Sequence, residues 1–484
     1  MRKPTKKASH SALFAGFALA GVALCDFAIG ASSRQLQVVA GIVVLLLIAG
    51  WIVVDILVGR FHAANLRYFA LFSFGLFLGG GMIVDAVRPD YAIQPAAILL
   101  TYGALLCFVL GFVLFEPNPV SAPCHSEPTF SLTSEQLFTL TCFFFALGFF
   151  FVFLEWHLYG QLQSYAGKFT AAGARPARVM PYVQTFTEFM TPAVILAFIQ
   201  LRRGTSLARR VVLTLFLTGA VAWFLVWGAR GNFLWLAVAF VLVWVEIGSE
   251  RGARRLGAKP VLVLSLSAAA ILPLGLVRTT WNLREAESAG WSGVWTGAGE
   301  SLDTYYQLAR TLDYFPARAG FLDGYSFYGV IANPVPRALW PGKPIGVGKL
   351  ASLLYDGNPQ NSIGLSLPGE LYANFGYVGS LLGMFLFGLL AAAVYSWYMR
   401  QRGDPVALVI YLMALSCLVT EVRGDILDAT APLLYSLLPT VICFGIVATA
   451  TKRFRPNAQK APTRATSQSV ISPLATTDGL PRNI

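Results

Sequence analysis

Stretches of about 20 apolar residues follow one another along this chain, and a helix needs about that length to cross a bilayer. Twelve runs meet or approach it: 11–30, 36–58, 67–86, 92–115, 135–155, 183–201, 210–228, 231–248, 260–279, 371–399, 405–422 and 431–451. A backbone in hydrocarbon must satisfy its own hydrogen bonds, so serial runs of this length dictate helices. The expected fold class is all-α: a polytopic integral membrane protein of about twelve transmembrane helices with one large extracytoplasmic loop. Composition agrees, with 56% hydrophobic and only 12% charged residues, about half the charged share of a soluble domain. Residues 1–280 carry spans one to nine and 281–370 the loop with short helices. Spans ten to twelve occupy 371–451, and 452–484 form a Ser/Thr/Pro/Ala-rich cytoplasmic tail expected to be disordered. The basic stretch 1–7 precedes an apolar run without a small-residue cleavage site, so it reads as a signal anchor and first span.

The net charge is +12, but its placement excludes a nucleic-acid partner. Lys and Arg fall in short clusters between apolar runs, as the positive-inside rule requires. Arg202, Arg203, Arg209 and Arg210, then Arg251, Arg254, Arg255 and Lys259, stand against a lone Arg34, Arg88 or Arg230 in the alternate connections. Both termini are therefore expected on the cytoplasmic side and the long loop outside.

That loop is the one long connection rich in aromatic, charged, Pro and Gly residues together, and long loops of this kind usually carry function. None of the six Cys and none of the four His falls within 281–370, which excludes a zinc site or a His-based triad there. No cofactor is expected. The segment 300–315 has amphipathic spacing through Leu302, Tyr305, Tyr306, Ala309 and Leu312, suited to lying along the membrane interface. A second short helix is expected at 349–355, and Pro334, Pro336, Pro341 and Pro344 between them forbid continuous helix. Trp281, Trp291, Trp295, Tyr305, Tyr306, Tyr314, Tyr325, Tyr328 and Trp340 either stack on sugar rings or form an interfacial belt.

Topology places Arg230, Arg278, Arg284, Arg337, Lys343, Glu370 and Arg423 on the loop side. Guanidinium groups bind phosphate oxygens through paired hydrogen bonds, which suits them to clamp a pyrophosphate; interfacial snorkelling is the alternative for each. Arg230 stands out, flanked by Gly228 and Gly231, which let a ligand approach closely. Glu370 opens span 371–399, where a carboxylate suits the helix dipole or serves as a general base beside Asn374. Glu188, an acid inside a span, competes for that role.

Two stretches, Pro336-Arg-Ala-Leu-Trp-Pro-Gly-Lys-Pro344 and Ser366-Leu-Pro-Gly-Glu-Leu-Tyr-Ala-Asn-Phe-Gly-Tyr-Val-Gly379, resemble the Wzy-type O-antigen polymerases of bacteria. The hairpin Trp227-Gly-Ala-Arg-Gly-Asn-Phe-Leu234 is similar to the Arg turn of the wider O-antigen polymerase and ligase group. The resemblance implies an inverting, metal-independent glycosyltransferase at the outer face of the cytoplasmic membrane. Its substrates would be undecaprenyl-pyrophosphate-linked oligosaccharide units, with a chain-length regulator and a flippase as possible partners. Under it Glu370 and Arg230 are catalytic, while Arg337, Lys343, Arg278, Arg423, Asn374 and Trp340 bind substrate or pyrophosphate, and Glu188 is secondary. The related ligases place a His in the outer loop, which this chain lacks. A flippase is the rival of another class, but it would show two related halves, and no internal repeat is evident.

Overall fold

The computed structural model describes residues 33–59, 61–86, 94–116, 130, 132–159, 186–227, 230–250, 302–335, 339–358 and 362–454. Among them all regular structure is helical. Helices α1 (Ser33–Leu57), α2 (Leu66–Ala86), α3 (Pro95–Phe115), α4 (Ser134–Tyr159) and α6 (Leu207–Trp227) fall on expected spans. So do α7 (Arg230–Glu250) and α11 (Leu367–Arg400). The last span is built from α13 (Ile426–Pro432), a π-helical turn at Leu433–Leu437 and α14 (Leu438–Phe454). Seven of these, all but α7, are long and apolar enough over the described residues to cross a membrane. Expected spans 11–30 and 260–279, loop segment 281–300 and the tail beyond 454 lie outside the described residues.

Over the described residues, two expected spans hold shorter helices. The run 183–201 becomes a 3₁₀ turn at Thr187–Phe189 and α5 (Met190–Arg203), while α12 covers Pro405–Glu421. Both pack inside the bundle: Ala193, Val194, Ile195, Val406, Val409 and Leu412 are fully buried. Their hydrophobicity faces protein, not lipid.

Helix packing follows glycine. A Cβ at Gly111 of α3 would lie 2.1 Å from the Phe385 carbonyl of α11, and one at Gly388 of α11 would lie 2.1 Å from the Phe108 carbonyl. The two backbones therefore touch through reciprocal glycines, the small-residue packing typical of membrane helices.

One end of the bundle gathers charge. Arg67, at the start of α2, is buried and donates to Asp55 and, at 3.1 Å, to Glu116. Tyr68 donates to the same Asp55 at 3.0 Å. Nearby, Glu246 accepts from Tyr398 (2.8 Å) and Arg402 (3.0 Å), with His62 Nε2 at 3.3 Å. Burial holds the His62 imidazole below its ordinary value, outweighing the attraction of Glu246. Arg203 donates to the Gly403 carbonyl at 2.7 Å, so the connections 204–206 and 401–404 share this end. Arg67 is thus an interior ion-pair partner, neutralised by two carboxylates.

The long loop caps the opposite end with α8 (Thr304–Tyr314), α9 (Tyr325–Ala332) and α10 (Val347–Asp356). The expected interfacial helix 300–315 is α8, but it docks into the bundle instead. Tyr305 and Leu308 are fully buried, and the Tyr305 backbone and Cβ sit against Gly81 while Leu308 meets Gly369. Glycine at both positions leaves room for that approach, and Tyr305 is thereby removed from any sugar-stacking role.

Candidate functional site

The loop end is organised by a break in α11. At Gly376 (φ 68°, ψ −164°) the helix is interrupted, splitting a short segment that starts at Leu367 from the long span that follows. Positive φ favours glycine there. Carbonyls just before the break, of Ala373 and Asn374, accept instead from the amides of Leu322 (2.9 Å) and Asp323 (3.2 Å). The Asn374 side chain completes the staple. Its Oδ1 accepts from the Gly324 amide (3.1 Å), and its Nδ2 donates to Ser326 (2.9 Å) and the Glu370 carbonyl (2.8 Å). Three hydrogen bonds to protein hold this buried amide, so Asn374 positions the loop.

Glu370 lies in the first turn of α11, where the Ser366 hydroxyl accepts from the Gly369 amide at 3.3 Å. It is 1% exposed, and its Oε2 accepts from the Ile426 amide at 2.7 Å, at the start of α13. A second carboxylate does the same for α10: Asp425 Oδ2 accepts from the Gly348 amide at 3.0 Å. The fit is tight, for a Cβ on Gly348 would lie 2.5 Å from the Ile363 carbonyl, and one on Gly364 would lie 2.6 Å from the Arg423 carbonyl. The turn 422–425 is thus wedged between the loop and the spans. Loop helices α8 and α10 are tied in turn by Arg310 to Asp356 (2.8 Å) and by Tyr355 to Thr311 (3.0 Å). Burial pushes the Tyr355 phenol up to about 12, so it stays protonated as a donor.

Beside this assembly lies a cleft of about 620 Å³. One wall is α11 through Val378, Leu382, Leu386 and Leu390; the other includes Leu418 and Glu421 of α12 and Thr430 of α13. Glu421 is its one carboxylate among the described lining residues, itself 5% exposed. The Thr430 hydroxyl is turned onto its own helix, donating to the Ile426 carbonyl at 2.6 Å. Neither Glu370 nor Glu188 lines the cleft.

The remaining expected residues divide. Arg423 is exposed in the wedged turn, its guanidinium 5.3 Å from the Phe77 ring centroid. Trp340 is partly exposed and meets Tyr328 edge-on at 5.8 Å. Lys343 is directed inward: its Nζ donates to the Asn333 and Val335 carbonyls, fastening the Pro-rich turn. Glu188 accepts from Thr191 at 3.3 Å, within the bundle at the start of α5. Arg278 and Arg337 lie outside the described residues, as does the side chain of Arg230, whose backbone opens α7. Glu421 and Asp425 are additions. Their signal was the run Glu421-Val-Arg-Gly-Asp425 at the end of an apolar span, where intramembrane acids are functional candidates.

Comparison with curated proteins and with solved structures gives no match. The family resemblance read from the motifs is borne out over the last part of the chain. Residues 351–453, which hold Glu370, Asn374, Glu421, Arg423 and Asp425, match the family O-antigen polysaccharide polymerase Wzy.

Proposed function

We propose that this protein polymerises polyprenyl-pyrophosphate-linked oligosaccharide repeat units into surface polysaccharide, acting as a glycosyltransferase at the outer face of the cytoplasmic membrane. One observation carries the reading: the segment that matches the polymerase family is the segment that builds the wedged loop end and the cleft beside it. In the proposed reaction an acceptor hydroxyl attacks the anomeric carbon of the donor glycan with inversion. The new C–O bond forms as the bond to pyrophosphate breaks, and the leaving group takes the electron pair. Pyrophosphate is already a good leaving group, so the site needs charge stabilisation more than a strong acid. Arg423, with Arg230, Arg278 and Arg337, would supply it through paired hydrogen bonds.

The acceptor proton needs a carboxylate that reaches substrate. Glu370 is spent on the Ile426 amide, whereas Glu421 lines the cleft. We therefore assign proton removal to Glu421 and positioning to Glu370. Trp340 and Tyr328 offer a partly exposed aromatic pair for a sugar face.

Deleting the gene tests the reading. Loss of polymerase should leave surface lipid carrying a single repeat unit, because attachment of the glycan is a separate step. Complete loss of glycan would support a ligase or flippase, and unaltered polymer would overturn the proposal.

A further inference from the structure

The cleft beside Glu421 has a shape that the reaction itself does not demand. Along α11 its lining falls at Val378, Leu382, Leu386 and Leu390, one residue per turn on a single face. From Val378 to Leu390 that is about 18 Å of helix at 1.5 Å per residue. One leaflet of a bilayer holds about 15 Å of hydrocarbon. The slot is therefore about one leaflet deep. Its α11 rim is open sideways, with Val378 78% and Leu390 52% exposed on a helix long and apolar enough to span. Glu421, its one carboxylate among the described lining residues, sits in the last turn of α12, beside the loop end. An apolar slot with a charged mouth fits a lipid whose chain lies in the slot and whose polar head emerges at the loop end.

Chemistry selects which lipid. In the donor, the reacting carbon is separated from the polyprenyl chain only by the pyrophosphate. In the acceptor, the reacting hydroxyl lies at the far end of a whole repeat unit. A chain-binding slot beside the proton-accepting carboxylate therefore suits the donor. Resting on the polymerase reading above, we propose that the α11–α12–α13 slot holds the polyprenyl chain of the donor, the lipid that bears the growing polymer.

The test places the photo-reactive residue benzoylphenylalanine at Leu386 of the full-length chain, with Leu390 as the second position should the first variant not accumulate. Leu114 of α3 and Leu215 of α6, exposed on other helices, are controls. Membranes are supplied with a polyprenyl pyrophosphate bearing a radiolabelled repeat unit, allowed to react, irradiated, and adducts sized on gels. The expected result is an adduct at Leu386 or Leu390 carrying more than one repeat, at least tenfold above the controls and removed by excess unlabelled polyprenyl pyrophosphate. Adducts of one repeat only would place the acceptor there and overturn the donor assignment. Equal labelling at the controls, or phospholipid adducts alone, would reduce the slot to ordinary lipid-facing surface. Polymer formed in the same membranes without a slot adduct sinks the slot alone. No polymer from the unmodified chain sinks the reading on which it rests.

Discussion

The two acids at the loop end are engaged differently, and substitution separates them. Gln at position 370 keeps an oxygen that can accept from the Ile426 amide, so Glu370→Gln should leave polymer length and protein level close to normal. Glu370→Ala leaves that buried amide without its acceptor, a cost of about 1–3 kcal/mol, and should lower the amount of folded protein. Glu421→Gln should behave the opposite way, with normal protein level and a rate reduced by about 10²- to 10⁴-fold, the range for loss of a general base. The measurement is polymer chain length normalised to protein in the membrane; full-length polymer from Glu421→Gln would remove it from the chemistry. Glu370 was legible because it opens a helix within a recognisable motif. Its engagement was not, since the amide that occupies it belongs to Ile426, a contact only the packed helices create. The inward direction of Lys343 was hidden for a related reason: its ammonium closes on the Asn333 and Val335 carbonyls, which only the folded turn brings to it.

At the scale of elements, apolar length located the helices well, because a 20-residue period of hydrophobicity has few other causes. It says less where hydrophobicity serves protein contacts, at α5 and α12, and where two helices share one apolar run, at the Gly376 break. Gly376 reads as one more small residue in a span until its carbonyl neighbours are seen bonded to Leu322 and Asp323. The α3–α11 contact gives the sharpest prediction here. Gly111→Ala and Gly388→Ala each push a methyl against a backbone carbonyl at 2.1 Å, and backbone cannot turn aside as a side chain can. Each should cost about 1–3 kcal/mol, the range for overpacking, seen as a lower melting temperature in detergent. Gly50→Ala is the control: it meets no atom within 4 Å and should be neutral or slightly stabilising, since Ala favours helix. Equal melting temperatures for all three would show that the helices do not meet as described.

For the whole molecule, the bundle sorts its residues by end, and that sorting decides where any chemistry happens. Arg202, Arg203 and Arg402 lie at one end with the buried His62–Glu246 group. The loop helices, the turn 422–425 and the mouth of the cleft lie at the other. Packing alone does not say which end faces the cytoplasm; we propose that the basic end does, because basic connections resist translocation. The connections around 203–209 and 400–402 carry that asymmetry, whereas Arg67 is paired inside the protein. Single cysteines at Ala317 and Asn358, both exposed at the loop end, report on one side, and one at Ser206 reports on the other. These positions avoid Gly324 and Gly357, whose positive φ would strain a cysteine. In a background without native cysteines, a membrane-impermeant maleimide should label Ala317→Cys and Asn358→Cys in intact spheroplasts. Ser206→Cys should react only after permeabilisation. The reverse pattern would turn the cleft mouth and Glu421 toward the cytoplasm, where a polymer bound for the surface could not be assembled by this site.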